Sequence, residues 1–196
     1  MFVATSCQLI VGVIGGVAYG QTYGPIVAWG EQVVFEPSVL DSLVAIAAGS
    51  SHSLGLKSDG KIIAWGLNSL GRHEVPLPND GFVAIAEGEA HSLAVKSDST
   101  IVAWGINGAG QCDVPLPNEE FIAVAAGGAH SLGLKSDGTI VAWGWNKYGQ
   151  CDVPLPNEGF IAIAAGDEHS LGLKSDGSIT AWGANGNGQR NVPAPN

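Results

Sequence analysis

Residues 129–158 read AHSLGLKSDGTIVAWGWNKYGQCDVPLPNE. His130, Asp137, Trp143 and Cys151 resemble an active-site inventory, and the question is whether they form a site or a fold. Sliding the chain along itself answers most of it. His52, His91, His130 and His169 are each 39 residues apart, as are Trp65, Trp104, Trp143 and Trp182. HSLGLKSDG recurs verbatim at His52, His130 and His169, and as HSLAVKSDS at His91. VPLPN follows at Val75, Val114 and Val153, and VPAPN at Val192. A fifth Trp-Gly pair, Trp29-Gly30, stands 36 residues before Trp65. A fixed period of this length marks a repeat architecture.

Within one period the local signals are those of strands. Phe121–Gly127 is a short apolar run closed by glycine, and HSLGLKS alternates, with Leu132 and Leu134 on one face. Ser136-Asp137-Gly138 predicts a hairpin turn, because glycine takes positive φ without a Cβ clash. Thr139–Gly144 is β-branched and aromatic, as strands are. CDVPLP predicts an edge strand, since proline cannot donate to a ladder. Four short strands in about 40 residues match one blade of a β-propeller. The expected fold is therefore an all-β propeller of four full repeats and an N-terminal half, with an incomplete or open ring among the arrangements left open.

Composition narrows function by exclusion. The 196 residues are 45% hydrophobic and 13% charged, with 29 glycines, a globular β-rich balance. The net charge is −10 and the eight Lys plus Arg are spread singly. No basic stripe is present to neutralise phosphates, so neither nucleic acid nor an anionic membrane is an expected partner. Leu9–Ala18 is apolar, too short to span a bilayer, and Ala18-Tyr19-Gly20 suits signal-peptidase cleavage. Residues 1–20 are read as a signal peptide and 21–196 as the repeats, placing the protein outside the cell, in the periplasm or on the cell surface. No Lys or Arg precedes the apolar run, and the competing reading is a degenerate strand of a preceding blade. Cys112 and Cys151 occupy equivalent positions in neighbouring repeats, where the other copies carry His73 and Arg190, so the fold does not require sulfur there. They are expected to be unpaired.

The run VAWG, GQCDVPLPN and FIAVAAGGAHSLGLKSDGT resembles the regulator of chromosome condensation repeat, in the compact form of bacterial secreted propellers such as the propeller-type β-lactamase inhibitor protein. The resemblance covers about Gly24 to Asn196 and implies a β-propeller. It implies little about activity, because the family includes exchange factors, inhibitors and ubiquitin-ligase modules. Such propellers typically close seven blades, and this sequence departs from that number. A fragment of a longer gene, an open arc that pairs with a second copy, and a small closed ring are the three arrangements left open.

The periodic histidines admit a metal reading, one ligand per blade, but a residue present in every copy is best explained by the blade itself. Each is expected to staple its blade through a hydrogen bond. The Asp-Gly pairs at Asp59, Asp137 and Asp176 supply one carboxylate per turn, far from the six to eight oxygens calcium takes. No nucleophile elbow, metalloprotease helix or phosphate-cradling glycine loop is present. Neither a catalytic residue, a cofactor nor a metal is expected.

Differences between copies carry the functional signal. After each Trp-Gly pair the loops read LNSLGRHE, INGAGQCD, WNKYGQCD and ANGNGQRN. Leu67, Leu70, Ile106, Trp145, Lys147 and Tyr148 are particular to their copies. A second variable set precedes each histidine: Ser50-Ser51, Glu89-Ala90, Gly128-Ala129 and Asp167-Glu168. Loops at blade ends vary on a rigid frame, and Trp and Tyr are enriched at interface hot spots. The expected function is a secreted, non-catalytic propeller that binds a protein through Trp145, Lys147, Tyr148, Leu67, Leu70, Ile106, Asp167 and Glu168. A hydrolytic, carbohydrate-active propeller using Asp167 or Glu168, and a guanine-nucleotide exchange regulator by family analogy, are the alternatives. A homodimer is expected if the four repeats are the whole chain.

Overall fold

A computed structural model describes residues 42–68 and 71–194. The signal-peptide reading, the Trp29-Gly30 half and Leu70 lie outside the described residues. Twelve strands follow in chain order: β1 Leu43–Ala48, β2 His52–Lys57, β3 Ile62–Gly66, β4 Phe82–Glu87, β5 His91–Lys96, β6 Ile101–Gly105, β7 Phe121–Ala126, β8 His130–Lys135, β9 Ile140–Gly144, β10 Phe160–Ala165, β11 His169–Lys174 and β12 Ile179–Gly183. They form four antiparallel three-stranded sheets, each a meander of consecutive strands.

The alternation in each HSLGLK run sets which side chains meet the neighbouring sheet. Leu132 and Leu134 are 0% and 1% exposed, and Ile140 is 2% exposed. The hairpins turn as expected: Gly60, Gly138 and Gly177 take φ of 78°, 81° and 89°. Asp137 Oδ1 accepts from the Thr139 amide and hydroxyl at 2.9 and 2.7 Å, so the turn itself uses the carboxylate. Each first strand carries a bulge near its start, between Phe121 and Ala123 in β7. The extra residue turns outward, which leaves Val44, Val83, Ile122 and Ile161 more than half exposed in all four copies.

The Val-Pro segment, the expected fourth strand, lies beside each sheet's last strand without a backbone ladder. Among the described residues each sheet stops at three strands. The ladder's place is taken by one side chain. Asn118 Oδ1 accepts from the Ile101 amide at 2.7 Å, and Asn118 Nδ2 donates to the Ile101 carbonyl at 2.8 Å. Asn79 on Ile62 and Asn157 on Ile140 do the same. A primary amide offers the same donor and acceptor as a peptide group. It pairs the edge of β6 where a proline-bearing backbone could not.

The sheets follow one another as blades. β4 packs against β1 and β2, β7 against β4 and β5, and β10 against β7 and β8. The first strands therefore neighbour each other along the inner side of an arc. Three equivalent cores lie between successive sheets; in the last, Leu132, Leu134 and Ile140 meet Phe160, Ala165 and Trp182. Fully burying a side chain such as Phe160 is worth about 2–3 kcal/mol. The first and fourth sheets do not pack on each other, so the described residues form an open arc.

Candidate functional site

Register brings the two variable sets of loops together. His130 lies opposite Gly144, and Ser131 opposite Ala126, so the ends of β7 and β9 and the start of β8 share one end of the blade. The Trp145 amide donates to the Ala129 carbonyl at 2.8 Å, and the adjacent Gly128 amide donates to Asp167 O of the next blade at 3.0 Å. Trp145 and Asp167 are thereby joined through two consecutive residues. The hairpin turns occupy the opposite end.

The WNKYGQCD loop is held from within. Asn146 Oδ1 accepts from the Cys151 amide at 2.8 Å, and Asn146 Nδ2 donates to Asp152 Oδ1 at 2.7 Å. Gln150 Oε1 accepts from the Tyr148 amide at 2.9 Å. On this frame Trp145 and Tyr148 stand edge to face, with ring centroids 5.5 Å apart, and Lys147 Nζ lies 5.4 Å from the Tyr148 ring. Tyr148 is 44% exposed; Lys147 and Asp167 are exposed, Trp145 and Glu168 half-buried. Leu67 is 52% exposed and Ile106 half-buried, each in the equivalent loop of its own blade. Trp145, Lys147, Tyr148, Asp167 and Glu168 thus share one end of the third and fourth blades, while Leu67 and Ile106 belong to the first two.

The periodic histidines lie between blades and reach across. His91 Nε2 is 2.9 Å from Ser131 Oγ of the next blade, and His130 Nε2 is 2.9 Å from Ser170 Oγ. Ser131 Oγ donates to Gln111 O at 2.8 Å, and the same carbonyl accepts from Trp143 Nε1 at 2.9 Å. Ser170, Gln150 and Trp182 repeat the pattern. Since the serine hydroxyl donates onward, the imidazole must donate to it from Nε2, which assigns the neutral tautomer. Burial, aided by the neighbouring histidines, pulls His91 down to about 4; burial and the next histidine do the same to His130. The ring needs glycine beside it: a Cβ at Gly127 would overlap the His130 ring at Cε1 and Nδ1.

Comparison with known proteins puts a name to the repeat. The family model described as the regulator of chromosome condensation (RCC1) repeat matches residues 43–72, 121–150 and 160–189. Three of its repeats are RCC1 repeats. Yeast RCC1 (Prp20), solved bound to Kap60, is 25% identical over 73% of this chain and 44% of its own, with a TM-score of 0.65. The ectodomain of the Physcomitrella patens receptor kinase CR4 is 26% identical over 72% of this chain and 40% of its own, at a TM-score of 0.61. Human WBSCR16, 21% identical over 75% of this chain and 50% of its own, has a TM-score of 0.64 and shares the fold. The chain spans half or less of each of these structures. No curated protein matches it.

The junction between the first two repeats departs from the others at its core. Glu87 stands where the other copies have Ala48, Ala126 and Ala165, and Arg72 where they have Gln111, Gln150 and Gln189. Glu87 Oε2 lies 2.7 Å from His52 Nε2, with both side chains fully buried, while Ser92 Oγ is 3.2 Å from the same nitrogen. Burial raises the Glu87 carboxyl above its ordinary value, against the opposing pull of His52. Arg72 Nη1 donates to Ser51 Oγ at 2.8 Å. His73, in the cysteine column, is pushed down by burial and by His52. Ser92, His52 and Glu87 have the composition of a nucleophilic triad but not its geometry. Both partners meet Nε2, whereas a triad uses one ring nitrogen for each. Ser92 is also 0% exposed, so no substrate reaches it.

Reading each column of the repeat for its exceptions would have found Glu87 and Arg72. Both columns otherwise hold a single residue type, Ala or Gln, and so carry the signature of scaffold. Leu77, Leu116 and Leu155, each 89% exposed, were missed for the same reason. Cys112 and Cys151 are free, and each Sγ lies 3.4 Å from a carbonyl of its own loop, Ile106 O and Trp145 O. Burial, with an adjacent aspartate, pushes both thiols up to about 11, away from thiolate chemistry at neutral pH.

Proposed function

We propose that this RCC1-repeat chain is a secreted, non-enzymatic module that binds a protein partner at the loop end of its third and fourth blades. The observation that carries the reading is the preorganised Trp145–Tyr148 pair, with Trp145 half-buried and Tyr148 exposed. A loop bonded internally through Asn146 and Gln150 loses little entropy on docking, so its contacts translate into affinity. Lys147, Asp167 and Glu168 form the polar surround, and Leu67 and Ile106 extend the surface toward the first blade. The yeast RCC1 structure, bound to Kap60, supports a partner of the protein class. Export rests on the apolar Leu9–Ala18 run.

The test compares immobilised unaltered chain with the Trp145→Ala/Tyr148→Ala variant, first for the proteins retained, then by titration with the purified partner. Loss of two hot-spot aromatics should weaken binding roughly 100-fold or more. Undiminished binding by the double variant removes this site.

A further inference from the structure

The residues just before the histidines run in a continuous line across the blades. Ser50 Oγ donates to Glu89 O at 2.8 Å, the Glu89 amide to Gly127 O at 3.3 Å, and the Gly128 amide to Asp167 O at 3.0 Å. Ser50, Glu89, Gly128 and Asp167 thus stand side by side at the loop end, and of these four Gly128 carries no side chain. The space it leaves is used. A Cβ there would overlap Asp167 Oδ1, so the Asp167 carboxylate folds back over the third blade. The carboxylate then lies one residue from Ala129, whose carbonyl accepts from the Trp145 amide at 2.8 Å. Asp167 and the Trp145–Tyr148 pair border the same patch of the loop end.

We infer that the partner of the Trp145–Tyr148 pair presents a basic segment, with an arginine guanidinium stacked on the aromatic rings and paired with Asp167. The inference rests on the protein-binding reading above and names the chemistry of that partner. The aromatic pair supplies the docking surface, and charge complementarity chooses what docks. The chain carries −10 overall. Among the described residues its surface lysine–carboxylate pairs, Lys61–Asp59, Lys96–Asp80 and Lys135–Glu120, are all at the opposite, hairpin end. At the loop end the exposed Glu89 and Asp167 flank Gly128, with the half-buried Glu168 beside them. Tyr148 already takes a cation from its own loop, since Lys147 Nζ lies 5.4 Å from its ring centroid. An arriving guanidinium suits the patch better than an ammonium: it is planar, stacks on an aromatic face and meets a carboxylate through two N–H groups. An acidic or wholly apolar segment would instead leave the Asp167 carboxylate desolvated without a partner, at a net cost.

NMR titration of the full chain with acetyl-Gly-Arg-Gly-Arg-Gly amide tests it, against the same peptide with citrulline or glutamate in place of arginine. The arginine peptide should shift the Trp145 indole and Gly128 amide resonances saturably. Citrulline keeps the shape and loses the charge, so its peptide should bind at least about tenfold more weakly. The glutamate peptide should not bind. Asp167→Asn should weaken the arginine peptide by about tenfold, whereas Asp176→Asn, which removes one charge from the hairpin end, should leave it unchanged. The Asp167→Asn chain should keep its fold, because Asp167 bonds Gly128 through its main chain. Trp145→Ala/Tyr148→Ala should lose the binding. Equal binding of the arginine and citrulline peptides at Trp145, or an equal loss in Asp167→Asn and Asp176→Asn, overturns the inference and leaves the aromatic site standing. Arginine-peptide binding that Trp145→Ala/Tyr148→Ala keeps in full removes the aromatic site and the inference together. An arginine peptide that shifts nothing at millimolar concentration also overturns the inference.

Discussion

The first junction between blades and the two that follow solve one packing problem with different chemistry. At the second and third junctions a neutral histidine donates to a serine, the serine to a loop carbonyl, and the tryptophan of the next blade to the same carbonyl. At the first, Glu87 has entered the same space. Trp104 still reaches Arg72 O at 2.9 Å, but Ser92 shows no counterpart of the Ser131–Gln111 bond. Beneath it, an aliphatic pair, an isoleucine, a phenylalanine and a tryptophan pack together at all three. The scaffold thus tolerates a buried carboxylate where a basic group can face it. The same backbone geometry therefore titrates differently from blade to blade.

Acidification should separate the two kinds of junction most strongly. His91 and His130 are held neutral by the fold, at about 4 against an ordinary 6.5. Their contribution is fully present above 6.5 and is lost as pH falls through the folded value. The loss is roughly 3 kcal/mol per histidine near pH 4. Glu87 has the opposite sign: its raised value means its contribution is greatest below the ordinary carboxylate range and is lost as pH rises through the folded value. Urea unfolding at neutral pH and near pH 4, with NMR titration of the imidazoles, checks both. Equal stability at the two pH values would erase the distinction.

Gly127→Ala comes next in size. Its Cβ would overlap the His130 ring and lie 2.6 Å from Gly166 O, so a loss of about 3–4 kcal/mol is expected in thermal or urea unfolding. A smaller effect sharpens the comparison. Glu87→Ala alone leaves the buried His52 without the carboxylate 2.7 Å from its Nε2 and Arg72 without the nearby negative charge, and should cost about 1–3 kcal/mol. Adding Arg72→Gln rebuilds the other junctions' composition and should return stability to within about 1 kcal/mol of the unaltered chain. Strictly additive effects in that cycle would show that the two charges do not act together. Smallest is the contrast between serines. Ser131→Ala removes two hydrogen bonds and should cost about 1–3 kcal/mol more than Ser53→Ala, whose hydroxyl has no partner among the described residues, by equilibrium unfolding.

Much of the fold was legible because its causes are local. The alternation in HSLGLK, the Asp-Gly turns and the Trp-Gly strands each act within a few residues, and a period of 39 repeats them in register. How the fourth segment of each repeat attaches is decided non-locally. Pro115 and Pro117 marked an edge correctly, but nothing in the order of residues showed that Asn118 would reach back to Ile101 and pair with it in the strand's place. At the site, Trp145, Lys147 and Tyr148 stood out as exceptions within their column. Their nearness to Asp167 depends on neighbouring blades and required coordinates.

The sequence by itself determined that this is a repeated β-structure of blade size, that its histidines, tryptophans and Asp-Gly turns belong to the scaffold, and which loops differ between copies. Those properties follow from side-chain period and turn chemistry, which act over a few residues. Tertiary structure alone decided how the blades address one another: His91 to Ser131, Gln111 to Trp143, and Glu87 to His52. Each of these contacts joins residues about 20 to 40 positions apart. They exist because successive sheets stack against a common inner side, and stacking is a property of the whole chain.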